Sequence, residues 1–138
     1  MVNKTEKRND VFGILTPVVD GRRMFMNVQA RQLFDMEAEA GEREVLSVGK
    51  FVFSKKKFDK AIQIIRDAIH REGWLVIDEI GPMELRGEGF CGVLKEVLAS
   101  GNEKQKILLV IREGLVDKTK EFFQIKDAVI INTISILR

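Results

Sequence analysis

The sequence has little of what several large classes of protein are built from. It has one cysteine, Cys91, and one histidine, which excludes an internal disulfide and leaves no group of residues at metal-ligand spacing. Its longest apolar runs, such as residues 107–111, are far shorter than the ~20 residues of a transmembrane helix. Charge of one sign is also lacking, since 23 basic and 21 acidic residues leave a net charge of +2. We therefore expect neither a membrane nor a nucleic acid as a partner.

What the sequence does contain is typical of one globular domain. At 138 residues, with 45% hydrophobic and 32% charged residues, it is long enough for one core and too short for two ordinary domains. The N-terminal residues are polar and charged, so no signal peptide is expected, and a single cysteine is typical of a reducing compartment. We therefore expect a single cytoplasmic domain over residues 1–138.

The most informative segment is WLVIDEIGPMEL at residues 74–85. Its first four residues are apolar and predict a strand buried on both faces, as in a parallel sheet. Asp78 and Glu79 follow where that strand would emerge, and Gly81-Pro82 would turn the chain away. Ligands of open α/β sheets bind at this end of the strands, and Mg-nucleotide hydrolases use an acidic pair there. The alternative is an ordinary pair of solvent-facing acidic residues at a strand end.

Apolar periodicity predicts strands and helices along the whole chain. The predicted strands span residues 11–16, 18–19, 22–28, 32–36, 42–48, 74–77, 107–111 and 128–132. The predicted helices span residues 55–71, 90–100 and 115–123, the first with Ser54 as its N-cap and Gly73 as its stop. Residues 34–39 could instead begin a helix. This order predicts an α/β fold, a mainly parallel sheet flanked by helices, with an antiparallel hairpin or meander near residues 18–48.

Two glycine-containing segments are similar to nucleotide-binding motifs. Residues 87–92 fit the dinucleotide fingerprint G-x-G-x-x-G, although charged residues separate them from the preceding strand. A dinucleotide-binding enzyme is therefore an alternative function. Gly49-Lys50 is similar to the end of a phosphate-binding loop, but Glu44 and Phe51 stand where that loop requires glycine and a hydroxyl residue. Lys50 is either a contact for an anion or a solvated surface charge.

Residues 76–85 and three further segments resemble the small P-loop nucleoside-triphosphatase family, which includes bacterial and archaeal nucleotide phosphatases and the cancer-related nucleoside-triphosphatase. The segment VIDEIGPMEL is similar to the family's Walker B signature in full. The supporting segments, in the family's order and spacing, are GILTP at residues 13–17, GRR at 21–23 and VGKF at 48–51. The strand, P-loop and helix with which family members begin have no counterpart in this sequence.

The resemblance implies a P-loop NTPase-like fold without its first strand and P-loop. It implies hydrolysis of Mg-bound ATP or GTP to the diphosphate and phosphate if a P-loop is supplied, with weak or no activity of this chain alone. Asp78 would hold Mg²⁺ through water, and Glu79 would activate the attacking water. Thr16, Lys50 and Arg112 would contact the nucleotide. Arg112 is assigned from its place at the tip of a strand, where the alternative is a surface loop charge.

A sheet without that first strand would have a gap or an unpaired edge, and such an edge invites pairing with another chain. The resemblance is therefore compatible with a homo-oligomer that closes the sheet. It is equally compatible with a non-catalytic NTPase remnant that acts as a binding or oligomerisation module. Phosphate affinity in P-loop proteins comes mostly from backbone N–H groups and a lysine, which two carboxylates cannot replace.

Overall fold

The computed structural model describes residues 10–131 and contains eight strands and four helices in that range. The strands are β1 (Val11–Leu15), β2 (Val18–Val19), β3 (Arg22–Asn27), β4 (Gln32–Asp35), β5 (Val45–Val48), β6 (Phe51–Ser54), β7 (Gly73–Ile80) and β8 (Gln105–Ile111). The helices are α1 (Lys55–Asp67), α2 (Pro82–Leu85), α3 (Cys91–Ala99) and α4 (Val116–Phe122). The sequence predicts all of these except β6 and the short α2.

Three apolar strands form the parallel centre of the main sheet. β7 pairs in parallel with β1 on one side and with β8 on the other. β3 runs antiparallel to β1 and also pairs with β2 and β4, so the sheet order is β2-β3-β1-β7-β8, and β4 pairs with β3 outside this order. The predicted α/β fold with a parallel core and an antiparallel insertion is confirmed, and the sheet as a whole is mixed.

The hydrophobic core lies on one face of the central strands, where α1 and α3 pack. The residues that β1 and β7 bury in it are Phe12, Ile14, Leu75 and Ile77. Phe25 of β3 meets Phe58 of α1 edge to face, with ring centroids 4.9 Å apart, and both rings also approach Phe90. These aromatic contacts attach the antiparallel insertion to the helices.

The helix α1 begins where local sequence predicts. The Ser54 hydroxyl accepts a hydrogen bond from the Lys57 N–H at 3.2 Å, which is the predicted N-cap. The apolar residues Phe58, Ala61 and Ile65 recur at helical spacing and are buried in the core. Capping and periodicity together therefore fix the start and the orientation of this helix.

The end of α1 is not where the sequence predicts it. The predicted end at residue 71 with Gly73 as a stop is wrong, because the helix ends at Asp67 and Gly73 begins β7. The reason is a tertiary contact. The Gln105 side-chain amide donates to the Ala68 carbonyl at 2.7 Å, an acceptor that a longer helix would use itself.

The chain between β4 and α1 forms a separate antiparallel hairpin of β5 and β6. The strand predicted over residues 42–48 begins only at Val45. The alternative of a helix over residues 34–39 is wrong, because β4 includes Asp35 and Glu37 forms a β-bridge with Phe53. That bridge links the hairpin to the chain that follows β4.

The edge of the main sheet that β8 forms is unpaired within residues 10–131. Within residues 10–131, β8 is paired on one side only, so the unpaired edge lies at the end of the sheet and not as a gap in its middle. Trp74 and Val110, on the face of the central strands away from α1, are 40% and 38% exposed. The strand predicted at residues 128–132 is wrong for residues 128–131, which are irregular, and Asn132 lies outside the described residues.

The helices of the described residues are all too short or too polar to cross a membrane.

Candidate functional site

Asp78 and Glu79 lie at the carboxyl end of β7, in the parallel centre of the sheet. The pairing of β7 with β8 is regular up to Asp78 and shifts in register before Ile80, and the Asp78–Glu79 peptide is cis. A register shift in a strand redirects the side chains beside it. Both carboxylates are half-buried and stand at the end of the sheet where ligands of α/β proteins bind.

Thr16, just after β1, holds the Asp78 carboxylate. The Thr16 N–H donates to Oδ2 of Asp78 at 3.2 Å, and the Thr16 hydroxyl bonds to the same group. Burial raises the pKa of Asp78, and the negative charge of Glu79 adds to the rise, whereas the Thr16 hydrogen bonds and the positive charge of Arg23 oppose it. The carboxylate is therefore oriented by the protein, and its ionised form would gain from a neighbouring cation.

Glu79 forms an ion pair with Arg112, the residue that follows β8. Nη2 of Arg112 donates to Oε1 of Glu79 at 3.1 Å, and both side chains are partly exposed. The Arg112 N–H donates to the Ile80 carbonyl at 2.9 Å, which places its side chain over Gly81. A partly exposed pair of this kind is weak, so the guanidinium can exchange its partner for another anion.

A cleft opens beside these residues. Its polar and aromatic lining residues include Thr16, Arg23, Phe51, Glu79 and Arg112. Arg23 from β3 lies over the Phe51 ring of the β5–β6 hairpin, with its guanidinium carbon 5.3 Å from the ring centroid. The hairpin thus forms one wall of the cleft, and the end of the parallel sheet forms another.

Glu84 in the α2 turn stabilises the chain behind the acidic pair. It is 1% exposed, and its two carboxylate oxygens accept hydrogen bonds from the N–H groups of Gly81 at 2.8 Å and Phe90 at 2.9 Å. Burial raises the pKa of Glu84, and these two hydrogen bonds oppose the rise. Glu84 therefore ties the turn after Glu79 to the start of α3.

The donor atoms suit Mg²⁺ that is bound to a nucleotide better than a cage of protein ligands. Within residues 10–131, no group of three or more His, Cys, Asp or Glu side chains could hold a metal ion. Mg²⁺ usually keeps several waters and binds one or two carboxylates together with the phosphates of its substrate. Asp78 and Glu79 supply carboxylate oxygens of that kind at a ligand-binding edge, so the residues present fit this mode of binding.

The structure brings four of the five site residues predicted from the sequence together. These four are Thr16, Asp78, Glu79 and Arg112. Lys50 is not among the residues that line the cleft and lies at the exposed tip of the β5–β6 hairpin, with its ammonium 5.7 Å from the centroid of the Phe51 ring.

Sequence reasoning missed two further residues of the site, Arg23 and Glu84. A signal for each was present. Alternate residues of a strand point to opposite faces, so one of the adjacent arginines Arg22 and Arg23 had to point inward. The spacing of Gly81 and Glu84 is that of a helix N-cap and a carboxylate that bonds back to its N–H.

Comparisons with known proteins agree with the fold. A family model described as NTPase matches residues 2–136. Among solved structures, the chain is similar to the crystal structure of THEP1 from the hyperthermophile Aquifex aeolicus, with a TM-score of 0.64. The two sequences are 20% identical, and the similarity covers 94% of this chain and 78% of that one, so it shows a shared fold. No curated protein matches the chain.

Proposed function

The chain belongs to the NTPase family, and on that premise we propose that it binds ATP or GTP with Mg²⁺ and hydrolyses it to the diphosphate and phosphate when a phosphate-binding loop is supplied. The observation that carries the proposal is the placement of Asp78 and Glu79 at the carboxyl end of β7, beside Thr16 and Arg112. We further propose that residues 1–138 act as one cytoplasmic domain.

The geometry supports the following proposed roles. Asp78, held by the Thr16 N–H, would hold Mg²⁺ through water, and the bound ion would offset the charge of the phosphates. Glu79 accepts a hydrogen bond from the attacking water and orients it toward the terminal phosphorus. Arg112 exchanges Glu79 for a phosphate oxygen, which frees that carboxylate for the water. Lys50 adds a positive charge from the hairpin tip.

The proposal requires phosphate-binding N–H groups from elsewhere. The sequence contains no G-x-x-x-x-G-K-[ST] motif. Such a loop supplies most of the phosphate affinity in related folds, through its backbone N–H groups, the following helix N-terminus and its lysine. We therefore expect weak or no turnover from this chain alone.

A second candidate function is a non-catalytic binding or oligomerisation module. The observation that favours it is the open edge of β8, whose residue Val110 is 38% exposed. Unpaired N–H and C=O groups along an apolar edge strand favour pairing with another strand. In this alternative, a homo-oligomer forms through the sheet edge and no nucleotide is turned over.

Calorimetric titration of the full chain with ATP and GTP, with and without Mg²⁺, followed by a phosphate-release assay, tests the proposed hydrolysis. We expect Mg-dependent binding that Asp78→Ala weakens about tenfold or more, because a charge-assisted interaction is lost. Where the wild-type chain shows turnover, we expect Glu79→Gln to abolish it and largely retain binding, because the amide cannot accept a proton from water.

Glu113→Gln is the matched control, since Glu113 is an exposed carboxylate next to Arg112 and should affect neither readout. Nucleotide binding that is unchanged in Asp78→Ala would contradict the assignment of this site. If the folded wild-type chain binds no nucleotide, that result would contradict the proposed hydrolysis and favour the second candidate function, a non-catalytic module.

A further inference from the structure

Arg23 is a half-buried cation of the cleft without a carboxylate partner among residues 10–131. Its neighbour Arg22 is exposed and lies 3.7 Å from Asp35 and 3.8 Å from Glu37. Within the described part of the chain, the guanidinium of Arg23 forms no ion pair and donates no hydrogen bond. It contacts the Phe51 ring and, through its backbone N–H, Glu37. The N–H donors of a half-buried guanidinium are left for a ligand that enters the cleft.

The surroundings of Arg23 fix its position. Its backbone N–H donates to Oε2 of Glu37 at 3.0 Å. Its guanidinium rests on Phe51, and that ring is stacked on Phe53 with 5.8 Å between centroids and 7° between planes. A cation over an aromatic face is held by the ring quadrupole. The side chain is therefore supported by a stacked aromatic pair and does not need a carboxylate to hold it.

Arg23 and Arg112 flank the acidic pair from opposite sides. Arg23 lies on β3, on one side of β7 in the sheet order, and Arg112 follows β8, on the other side. The positive charge of Arg23 acts on Asp78 and that of Arg112 on Glu79. The four charges cancel, so the two positive charges of Mg²⁺ would make the site attractive to a polyanion.

We propose that Arg23 binds the phosphate oxygens of the substrate from the side opposite Arg112, so that the two arginines bind a polyphosphate from both sides of Asp78 and Glu79. The inference rests on the proposed function, because the nucleotide would occupy the same cleft. A planar guanidinium presents parallel N–H donors that match two phosphate oxygens. Arg22, which points to the surface carboxylates, takes no part.

The test is calorimetric titration of the full chain with ATP and, separately, with inorganic pyrophosphate, both in the presence of Mg²⁺. We expect Arg23→Gln to weaken the binding of both ligands about tenfold or more and to reduce the dependence of affinity on salt. Arg23→Lys should recover part of the affinity, and Phe51→Leu should weaken it a few-fold, because the cation–π contact is lost. Arg22→Gln, which removes the same charge one residue away, should stay within about twofold.

The two ligands separate the failure of this inference from the failure of the proposed function. Nucleotide binding that Arg23→Gln leaves unchanged would overturn the role of Arg23 and keep the function. Pyrophosphate binding that depends on Arg23, without nucleotide binding, would support the phosphate contact and overturn the proposed nucleoside-triphosphatase. A chain that binds neither ligand overturns both. If Arg23→Gln fails to fold, Arg23→Lys and Phe51→Leu decide, and affinities equal to wild type in both would overturn the role.

Discussion

At the scale of the residue, the ionised form of Asp78 costs the folded chain stability. Burial raises the pKa of Asp78, so the folded state holds the proton more tightly than the unfolded state does. The free energy of unfolding therefore falls as pH rises from the ordinary pKa through the raised folded pKa, and it stays lower above that range. Asparagine keeps an acceptor for the Thr16 N–H and carries no charge. We expect Asp78→Asn to be more stable than wild type at neutral pH.

Urea unfolding at a series of pH values measures this effect. The stability difference between Asp78→Asn and wild type should shrink as the solution becomes acidic, because wild-type Asp78 is then protonated. Asp20→Asn is the control, since Asp20 lies in an exposed turn with a φ of 50°, which asparagine also tolerates. A variant Asp78→Asn that is less stable than wild type at neutral pH would contradict the prediction.

Gly13 is required by the close approach of β1 to β7. A Cβ built at Gly13 would lie 2.0 Å from the Val76 carbonyl oxygen, and its φ is +119°. We expect Gly13→Ala to lower the free energy of unfolding by about 3 kcal/mol or more, from a backbone clash added to strain. Gly21→Ala isolates the strain, because Gly21 has a φ of +78° and no atom within 4 Å of such a Cβ, so about 1 kcal/mol is expected there. If chemical unfolding showed that Gly13→Ala and Gly21→Ala lose the same free energy of unfolding, that result would contradict a backbone clash at Gly13.

The residues of the site differ in how far sequence alone could predict them. Asp78 and Glu79 were predictable because an apolar run and the acidic pair that follows it are adjacent in the chain. The requirement for Gly13 and the position of Arg23 depend on contacts between β1 and β7 and between β3 and the β5–β6 hairpin. No pattern of neighbouring residues in the sequence predicts such contacts.

At the scale of the element, the α2 turn and the start of α3 are joined through one buried contact. A Cβ at Gly89 would lie 2.2 Å from Oε2 of Glu84, which cannot move without losing its hydrogen bond from Phe90. We expect Gly89→Ala to cost about 2–4 kcal/mol of unfolding free energy. Gly87→Ala, with a φ of +86° and no atom within 4 Å of its Cβ, should cost about 1 kcal/mol.

A double-mutant cycle measures this coupling directly. In a Glu84→Ala background, the extra cost of Gly89→Ala over Gly87→Ala should largely disappear, because the obstructing carboxylate is gone. A cost that is independent of Glu84 would show that backbone strain alone is responsible. The same contact accounts for Gly89 of the G-x-G-x-x-G pattern without a cofactor, and the pattern follows a helical turn and not a strand.

The elements that the sequence predicts well are those with strong local signals. β7 is a continuous apolar run, and α1 has both a cap and a buried apolar stripe. The predicted end of α1 was wrong because the Gln105 side chain donates a hydrogen bond to the Ala68 carbonyl, just after the helix. β6 was missed because its four residues are a strand through their pairing with β5, which no local pattern shows.

At the scale of the whole molecule, the resemblance in sequence predicts the architecture better than the arrangement of its edges. The family and the α/β fold are confirmed by the match over residues 2–136 and by the structural similarity. The sequence led us to expect either a gap within the sheet or an unpaired edge strand. The described sheet has an unpaired edge strand and no gap, because β1, β7 and β8 are adjacent. Strand order is a property of the whole chain, and short motifs carry little information about it.

That edge leads to a prediction about assembly. We expect the wild-type chain to associate through β8, because its outer N–H and C=O groups are unpaired within residues 10–131 and its side chains are mostly apolar. Val110→Lys places a charge on this strand and should shift the molar mass measured by light scattering after size-exclusion chromatography toward the monomer. Val18→Lys is the matched control, since Val18 is 62% exposed on β2, which pairs with β3 and not with β8. A wild-type chain that is monomeric at high micromolar concentration would contradict association through the edge, and equal effects of the two variants would place the interface elsewhere.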